Sequence, residues 1–467
     1  MSLPATALRM LGAIAVAGAA GWALMRLFDE GLGRLEKVAW SFAVGLVTQC
    51  GIYLFWRSLD PGVGWGRILL ADGVLAGCSL VVRRARGDFS LGSVREKGGW
   101  PRPSIWLLAL VAAAGWSVFL VQALSEPMWA TDFLAIWGLK GKVIFQTPQW
   151  AERLFSDAGL FWSHREYPLL VPVSLATFAA MIGGWADQAL ALLWPACELA
   201  TILTVAGFVG RHASGFAGAG AAALVALCFP LFQAVNVGTA EVPLAFALTL
   251  VGCALLDVME SGSAARLARL AAASVFCVST KQEGTLFVVL SALVLTTRHR
   301  RMPGRKWAGA GLALLAPAAA HWVLLRLVTG PQSRRDFDFT LLAPGRWSEL
   351  AVRMETVLRR FVETEARTAL IPLLAIAAFL LVTRRGVGDV LWPIFAVQLA
   401  CYAVAFSISA YDPAYAFDAA FRRLAVALFP AFLLILCTRG VGIEGADVIQ
   451  TGSPPSVRPP KPEGSAA

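Results

Sequence analysis

A carboxylate that can take a proton and a cation that can steady a phosphate are complementary parts of a group-transfer site. This chain places both kinds of residue at the edges of its apolar runs. Asp132 follows one such run, in MWATDFLAIWGLKGKVIF. Glu241 opens another, after Asn236-Val237-Gly238-Thr239-Ala240. Lys281-Gln282-Glu283-Gly284 interrupts two more, and Arg422 and Arg423 open the last, in FRRLAVALFP. The stretch from Glu126 to Pro168 adds Lys140, Lys142, Glu152, Asp157 and the run His164-Arg165-Glu166-Tyr167-Pro168. Charge beside hydrocarbon is costly, so an insert this polar between apolar segments needs a reason.

Each position also has a plainer reading. Asp132 suits the N-cap of the amphipathic helix that the residues after it predict, although no Glu or Gln stands three residues on to complete a capping box. The HREYP run fits an interface anchor, with Tyr167 at headgroup level and Arg165 snorkelling, as well as it fits a phosphate contact through Arg165 or His164. Glu241 is favoured by the helix dipole at its position, and equally by a cavity that needs a carboxylate. Lys281 is either a snorkelling turn lysine or a point charge for a phosphate. Arg422 and Arg423 lie at the outer end of a span, against the usual inward bias of basic residues, which favours a lipid-phosphate contact.

The elements that must carry these residues are helices in a bilayer. The 467 residues are 58% hydrophobic, with a mean hydropathy of +0.67, more apolar surface than a soluble core of this length could hide. Many windows exceed the roughly 18 apolar residues that cross a hydrocarbon core. Short alternating segments of the kind that build a β-barrel are missing. The pattern predicts an all-α polytopic membrane protein with about 13 spans. They fall near 5–27, 38–58, 66–83, 104–124, 187–210, 214–234, 240–258, 264–279, 283–298, 306–328, 368–383, 389–409 and 421–438. The first run is too long for an ordinary signal h-region and is read as a retained span. Residues 169–184 are short for a span and read as a helix in the interface or dipping partway.

The net charge of +10 is not a nucleic-acid footprint. Basic residues cluster between apolar runs, at Arg83, Arg84, Arg86, Arg95, Lys97 and Arg102, and again at Arg298, Arg300, Arg301, Arg305 and Lys306. Such clusters mark cytoplasmic loops and face anionic lipid headgroups. With both inside, the spans predict an inner-membrane protein with its N-terminus outside and its C-terminus in the cytoplasm. Outer loops 125–186 and 330–367 then share a face with the turns at 238–241, 281–283 and 411–418. The chain divides into additional N-terminal helices and a basic loop (1–103), a catalytic membrane domain (104–438) and a disordered tail (439–467), rich in Pro, Gly and Ser.

The eight cysteines all lie in apolar runs without a close CxxC pair, so they read as small buried hydrophobes. Four scattered histidines give no paired metal spacing. A carboxylate-held divalent ion, Mg or Mn, leaves little trace in sequence and stays compatible with it. No P-loop or dinucleotide fingerprint appears.

The order of motifs resembles the GT-C superfamily of integral membrane glycosyltransferases, in the branch with protein mannosyltransferases and the lipid A aminoarabinose transferase. The resemblance rests on a span and then a loop with the early Asp132, YPLLVP, GGWADQALALLWP, NVGTAEVPLAF and STKQEGTLFVV. It covers about residues 104–300 and extends to the last third only as an alternation of spans and outer loops. It implies an acid essential for transfer in the first outer loop, which Asp132 matches. Phe133 stands where many relatives have a second acid. It further implies a later acid at a span start, matched by Glu241, and a Lys-x-x-Gly turn, matched by Lys281 to Gly284.

The expected chemistry is transfer of a sugar from a polyprenyl-phosphate donor to a lipid, glycan or protein acceptor. Asp132 would act as base with Glu241 beside it, and the transfer would invert the sugar carbon. Substrate contacts would come from Lys140, His164, Arg165, Glu166, Tyr167, Lys281, Glu283, Arg422 and Arg423. A transporter or flippase is the alternative. Transporters carry internal repeats and acids at mid-bilayer, whereas the acids singled out here gather at one face and no repeat is evident, which favours an enzyme.

Overall fold

The computed structural model describes residues 2–85, 103–126, 128–157, 160, 163–232, 237–298, 304–329, 336–368 and 390–437. Helix follows helix throughout these residues, and the single β-bridge pairs Phe337 with Ser409. Among the described residues, eight helical stretches are long and apolar enough to cross a membrane, and the chain is an all-α, multi-pass membrane protein. Four further apolar helices are shorter. The expected span at 368–383, most of the basic loops and the tail after 438 lie outside the described residues.

The first two helices, α1 (Leu3–Met25) and α2 (Arg34–Leu59), form an antiparallel hairpin. Gly21 and Gly45 let the backbones touch: a Cβ on Gly21 would lie 1.8 Å from the Ser41 carbonyl oxygen, and one on Gly45 1.8 Å from that of Ala17. Small residues at such crossings are how helices pack where no hydrophobic drive separates protein from lipid. In α3 (Trp65–Ala85), Asp72 accepts a buried 3.0 Å hydrogen bond from Gln49 of α2. Next comes α4 (Pro103–Ser125), which displays Leu107, Leu110 and Val121 outward, as a lipid-facing helix does.

The first polar insert holds a π-helical turn, Phe133–Trp137, running directly into α5 (Gly138–Gln146), then α6 (Trp150–Ser156). Then α7 (Leu170–Ile182) is buried almost from end to end against α5, α2 and α1. The short segment read as interfacial or dipping partway is therefore packed among protein helices. The reason is compositional: a helix apolar on every side has no polar face to show to headgroups.

After the short α8 (Asp187–Leu190) come α9 (Leu193–His212), α10 (Gly215–Phe232) and α11 (Glu241–Glu260). α11 is buried from Glu241 through Val258 and is the central post of the bundle. Around it stand α9, α12 (Ala264–Thr280), α13 (Gln282–Arg298) and, at the far end of the sequence, α17 (Pro413–Cys437). Beyond them lies α14 (Gly304–Thr329), with Leu312 and Leu327 turned outward. The second insert contributes two 3₁₀ turns and the amphipathic α15 (Trp347–Thr368), which packs on α16 (Leu391–Ser407) and α17.

Candidate functional site

Five charged residues from four distant segments meet at the Glu241 end of α11. Arg423, on α17, places Nη1 2.6 Å from Asp132 Oδ2 and 3.7 Å from Glu241 Oε1. Lys281, in the break between α12 and α13, holds the same Glu241 oxygen at 2.9 Å and Glu283 Oε1 at 3.2 Å. The result is one chain of alternating charge, Asp132–Arg423–Glu241–Lys281–Glu283, with three carboxylates against two cations. Its two ends differ in access. The Glu241 side chain is 1% exposed and that of Lys281 8%, whereas Asp132 and Arg423 keep 27% and 23%.

Local sequence explains each placement. Gly238 takes φ +105°, a left-handed conformation open to glycine, and a Cβ there would sit 2.8 Å from the Cβ of Phe133. This turn seats Glu241 against the segment that carries Asp132. Trp194 fixes the same turn by donating to the Thr239 carbonyl at 2.6 Å, and its ring meets Phe133 edge-on. Lys281 has extended backbone between α12 and α13, so the chain breaks where its ammonium is needed. Asp132 makes no side-chain cap. Its carboxylate goes to Arg423, so the cap reading of that residue does not hold.

The HREYP run forms a platform beside this chain. The rings of Trp137, Tyr167 and His164 stack in succession, with centroids 5.5 Å and 4.7 Å apart. Lys140 is buried beneath them and donates to the His164 carbonyl at 2.5 Å. Burial pushes the Lys140 ammonium down to about 7. Gln282, next to Lys281, donates to the Glu166 carbonyl at 3.4 Å and ties the platform to the charged chain. Burial and the Glu283 carboxylate raise the Tyr167 phenol well above its ordinary value. His164 Nδ1 faces Glu166 at 3.4 Å and Asp336 at 3.2 Å, so it joins the first insert to the second. The hydrogen bond to Glu166 holds His164 above the usual histidine range against the effect of burial.

Two residues expected at the site stand apart from it. Arg165 turns its guanidinium to the backbone carbonyls of Phe155, at 3.0 Å, and Asp157, where it braces the insert. Arg422 is exposed, one position away from the side of α17 that carries Arg423. Among the described residues, two groups of donors are close enough to share a cation: His164 with Glu166 and Asp336, and His212 with Asp257 and Glu260. Neither contains Asp132 or Glu241. Arg211 already lies 3.0 Å from Asp257, which disfavours a second cation in the latter group.

The sequence reading missed that second cluster altogether. It lies at the other end of α11, about 24 Å from Glu241 by the helix rise. Arg211 forks onto both oxygens of buried Glu36, at 2.9 and 3.1 Å, and reaches Asp257 at 3.0 Å. Arg269 holds Asp257 Oδ2 at 3.2 Å and the carbonyls of Phe28 and Glu30 at 2.8 and 2.7 Å. These bonds fasten the N-terminal hairpin to the bundle. Arg211-His212 at one span end and Asp257 with Glu260 at the next were the available signal, because charges at neighbouring span ends must find partners.

Fold and site together define a multi-pass helical membrane protein with a partly buried chain of alternating charge at one end of its bundle. Compared with protein-family models, curated proteins and solved structures, the chain matches none.

Proposed function

We propose that this protein is a membrane glycosyltransferase that moves a sugar from a polyprenyl-phosphate donor to an extracytoplasmic acceptor, with inversion. The observation that supports this reading is the Asp132–Arg423–Glu241–Lys281 chain: a partly accessible carboxylate beside cations, at the end of a helical bundle. In the reaction the acceptor hydroxyl passes its proton to Asp132, and its oxygen bonds to the sugar carbon. The bond from that carbon to the phosphate oxygen breaks, and its electron pair leaves on the phosphate. Arg423, anchored by Glu241 and Lys281 behind it, faces the charge that develops there. Attack opposite the leaving group inverts the carbon. The polyprenyl tail lies along the lipid-facing helices. The protein sits in the inner membrane with about 13 spans in a GT-C-like arrangement, the site on the outer face and the C-terminus inside.

The test is mass spectrometry of envelope glycolipids and polysaccharides from cells that carry the protein, lack it, or carry Asp132→Asn. A sugar missing from both altered strains supports the reading and names donor and acceptor. Full transfer with Asp132→Asn removes Asp132 as the base.

Glu198 favours a second reading, transport. It is buried within α9 with both carboxylate oxygens unpartnered, and ionisable groups inside a bundle often mark a translocation route. Proteoliposome uptake of a lipid-linked sugar that is lost with Glu198→Gln but kept with Asp132→Asn would favour transport over transfer.

A further inference from the structure

We propose that Asp132 and the donor's phosphate compete for Arg423, so that the base is unmasked only once a donor is seated. This rests on the transferase reading and adds an order of events to it. Arg423 is the shared residue because its nearest anion is Asp132, at 2.6 Å, while Glu241 stands further off at 3.7 Å. Glu241 already has Lys281 at 2.9 Å and is sealed from solvent, so that half of the chain is a fixed anchor. The Asp132–Arg423 half is the part an incoming headgroup can reach.

Charge balance leads to the same exchange. Three carboxylates against two cations leave no spare positive charge for a phosphate. A phosphate gains a charge-assisted contact here by taking a guanidinium from a carboxylate. Asp132 is the carboxylate that can yield, and once separated from Arg423 its oxygens are free to meet the acceptor hydroxyl. While paired, its carboxylate is occupied by the guanidinium at 2.6 Å. The ligand-free enzyme therefore keeps its base quenched and spares the acceptor a futile deprotonation. When the acceptor's proton arrives, Asp132 becomes neutral and Arg423 stays with the departing phosphate. Loss of the phosphate and of that proton restores the pair.

The experiment is equilibrium binding of a long-chain polyprenyl phosphate to the full-length protein in detergent, with the neutral polyprenol as control. Wild type, Asp132→Asn, Arg423→Gln and the double variant are compared, with thermal unfolding to confirm that each is folded. Asp132→Ser takes the place of the Asn variant if that one unfolds. The expected result is that Asp132→Asn, though inactive, binds the phosphate about tenfold tighter than wild type, as removal of a competing nearby charge should do. The gain disappears when Arg423→Gln is added. Unchanged or weaker binding by Asp132→Asn overturns the proposal, as does a gain that survives in the double variant. If the wild type does not prefer the phosphate to the polyprenol, the transferase reading itself falls.

Discussion

Lys281 reaches back across 40 residues to place its ammonium 2.9 Å from Glu241, deep in the bundle. Each is the other's nearest charged partner. The pair is the fixed half of the site, and the first prediction concerns it. Lys281→Met leaves Glu241 buried beside a single, more distant cation and should cost about 3–5 kcal/mol, the usual penalty for orphaning a buried charge. Adding Glu241→Gln should recover much of that loss. Denaturant unfolding in mild detergent measures both, and equal stability of Lys281→Met and wild type would contradict the buried pairing.

Asp257 anchors the opposite end of α11 through Arg211 and Arg269, at 3.0 and 3.2 Å. Asp257→Ala removes the partner of a nearly inaccessible Arg269 and should destabilise by about 3–5 kcal/mol. Asp29 pairs with Lys37 at 2.8 Å on a more open surface, and Asp29→Ala should cost no more than about 1 kcal/mol. The same unfolding assay ranks the two. A reversed order would mean that the inner network does not hold the hairpin to the bundle.

The junction between the inserts should depend on pH. His164 is raised by its hydrogen bond to Glu166, so its stabilising contribution is complete below the unfolded histidine value of about 6.5 and fades as pH climbs through the higher folded value. Glu166 runs the other way. Burial pushes it up, yet the His164 hydrogen bond and charge leave it net lowered. Its contribution is present above the unfolded carboxylate value and lost as pH falls through the folded one. The hold on Asp336 is therefore firmest between the two and loosens on the alkaline side. Hydrogen-exchange protection at residues 336–342, corrected for the intrinsic pH dependence of amide exchange, should fall as pH rises above about 6.5. His164→Gln should flatten that fall.

Gly238 offers a purely steric test. Gly238→Ala places a methyl group 2.8 Å from Phe133 Cβ and strains a backbone at φ +105°. A cost of about 1–3 kcal/mol is expected. Because Phe133 adjoins Asp132 and the glycine turn leads into Glu241, transfer activity should fall further than stability does. Activity that tracks stability alone would argue against a role for this turn in positioning the two acids.

Much of this architecture could be read from the sequence, for reasons that differ by element. Long apolar runs announce their own helices, so α1 to α4, α9, α11 and α14 lie close to their expected places, while α17 begins at Pro413, ahead of the expected 421, and carries Arg422 and Arg423 within it and not at its start. The site residues were visible because charge at the edge of an apolar run is rare enough to notice. Asp132, Glu241, Lys281, Glu283 and Arg423 do meet at one end of the bundle. Arg165 misled because a guanidinium in a polar insert looks the same whether it serves a ligand or two backbone carbonyls. α7 misled by its length, since 13 residues suggest an interface while their uniform apolarity required burial. The Glu36–Arg211–Asp257 network went unseen because its members are 175 and 46 residues apart and none belongs to a motif.

The bond between Arg423 and Asp132 closes a loop of 291 residues. At ribosomal speeds of about 5–20 residues per second, Asp132 leaves the translation machinery roughly 15–60 s before its cation exists. No shortened product that stops ahead of α17 carries both halves of the pair. Termination ahead of α17 therefore yields helices in which Asp132 lacks its cation.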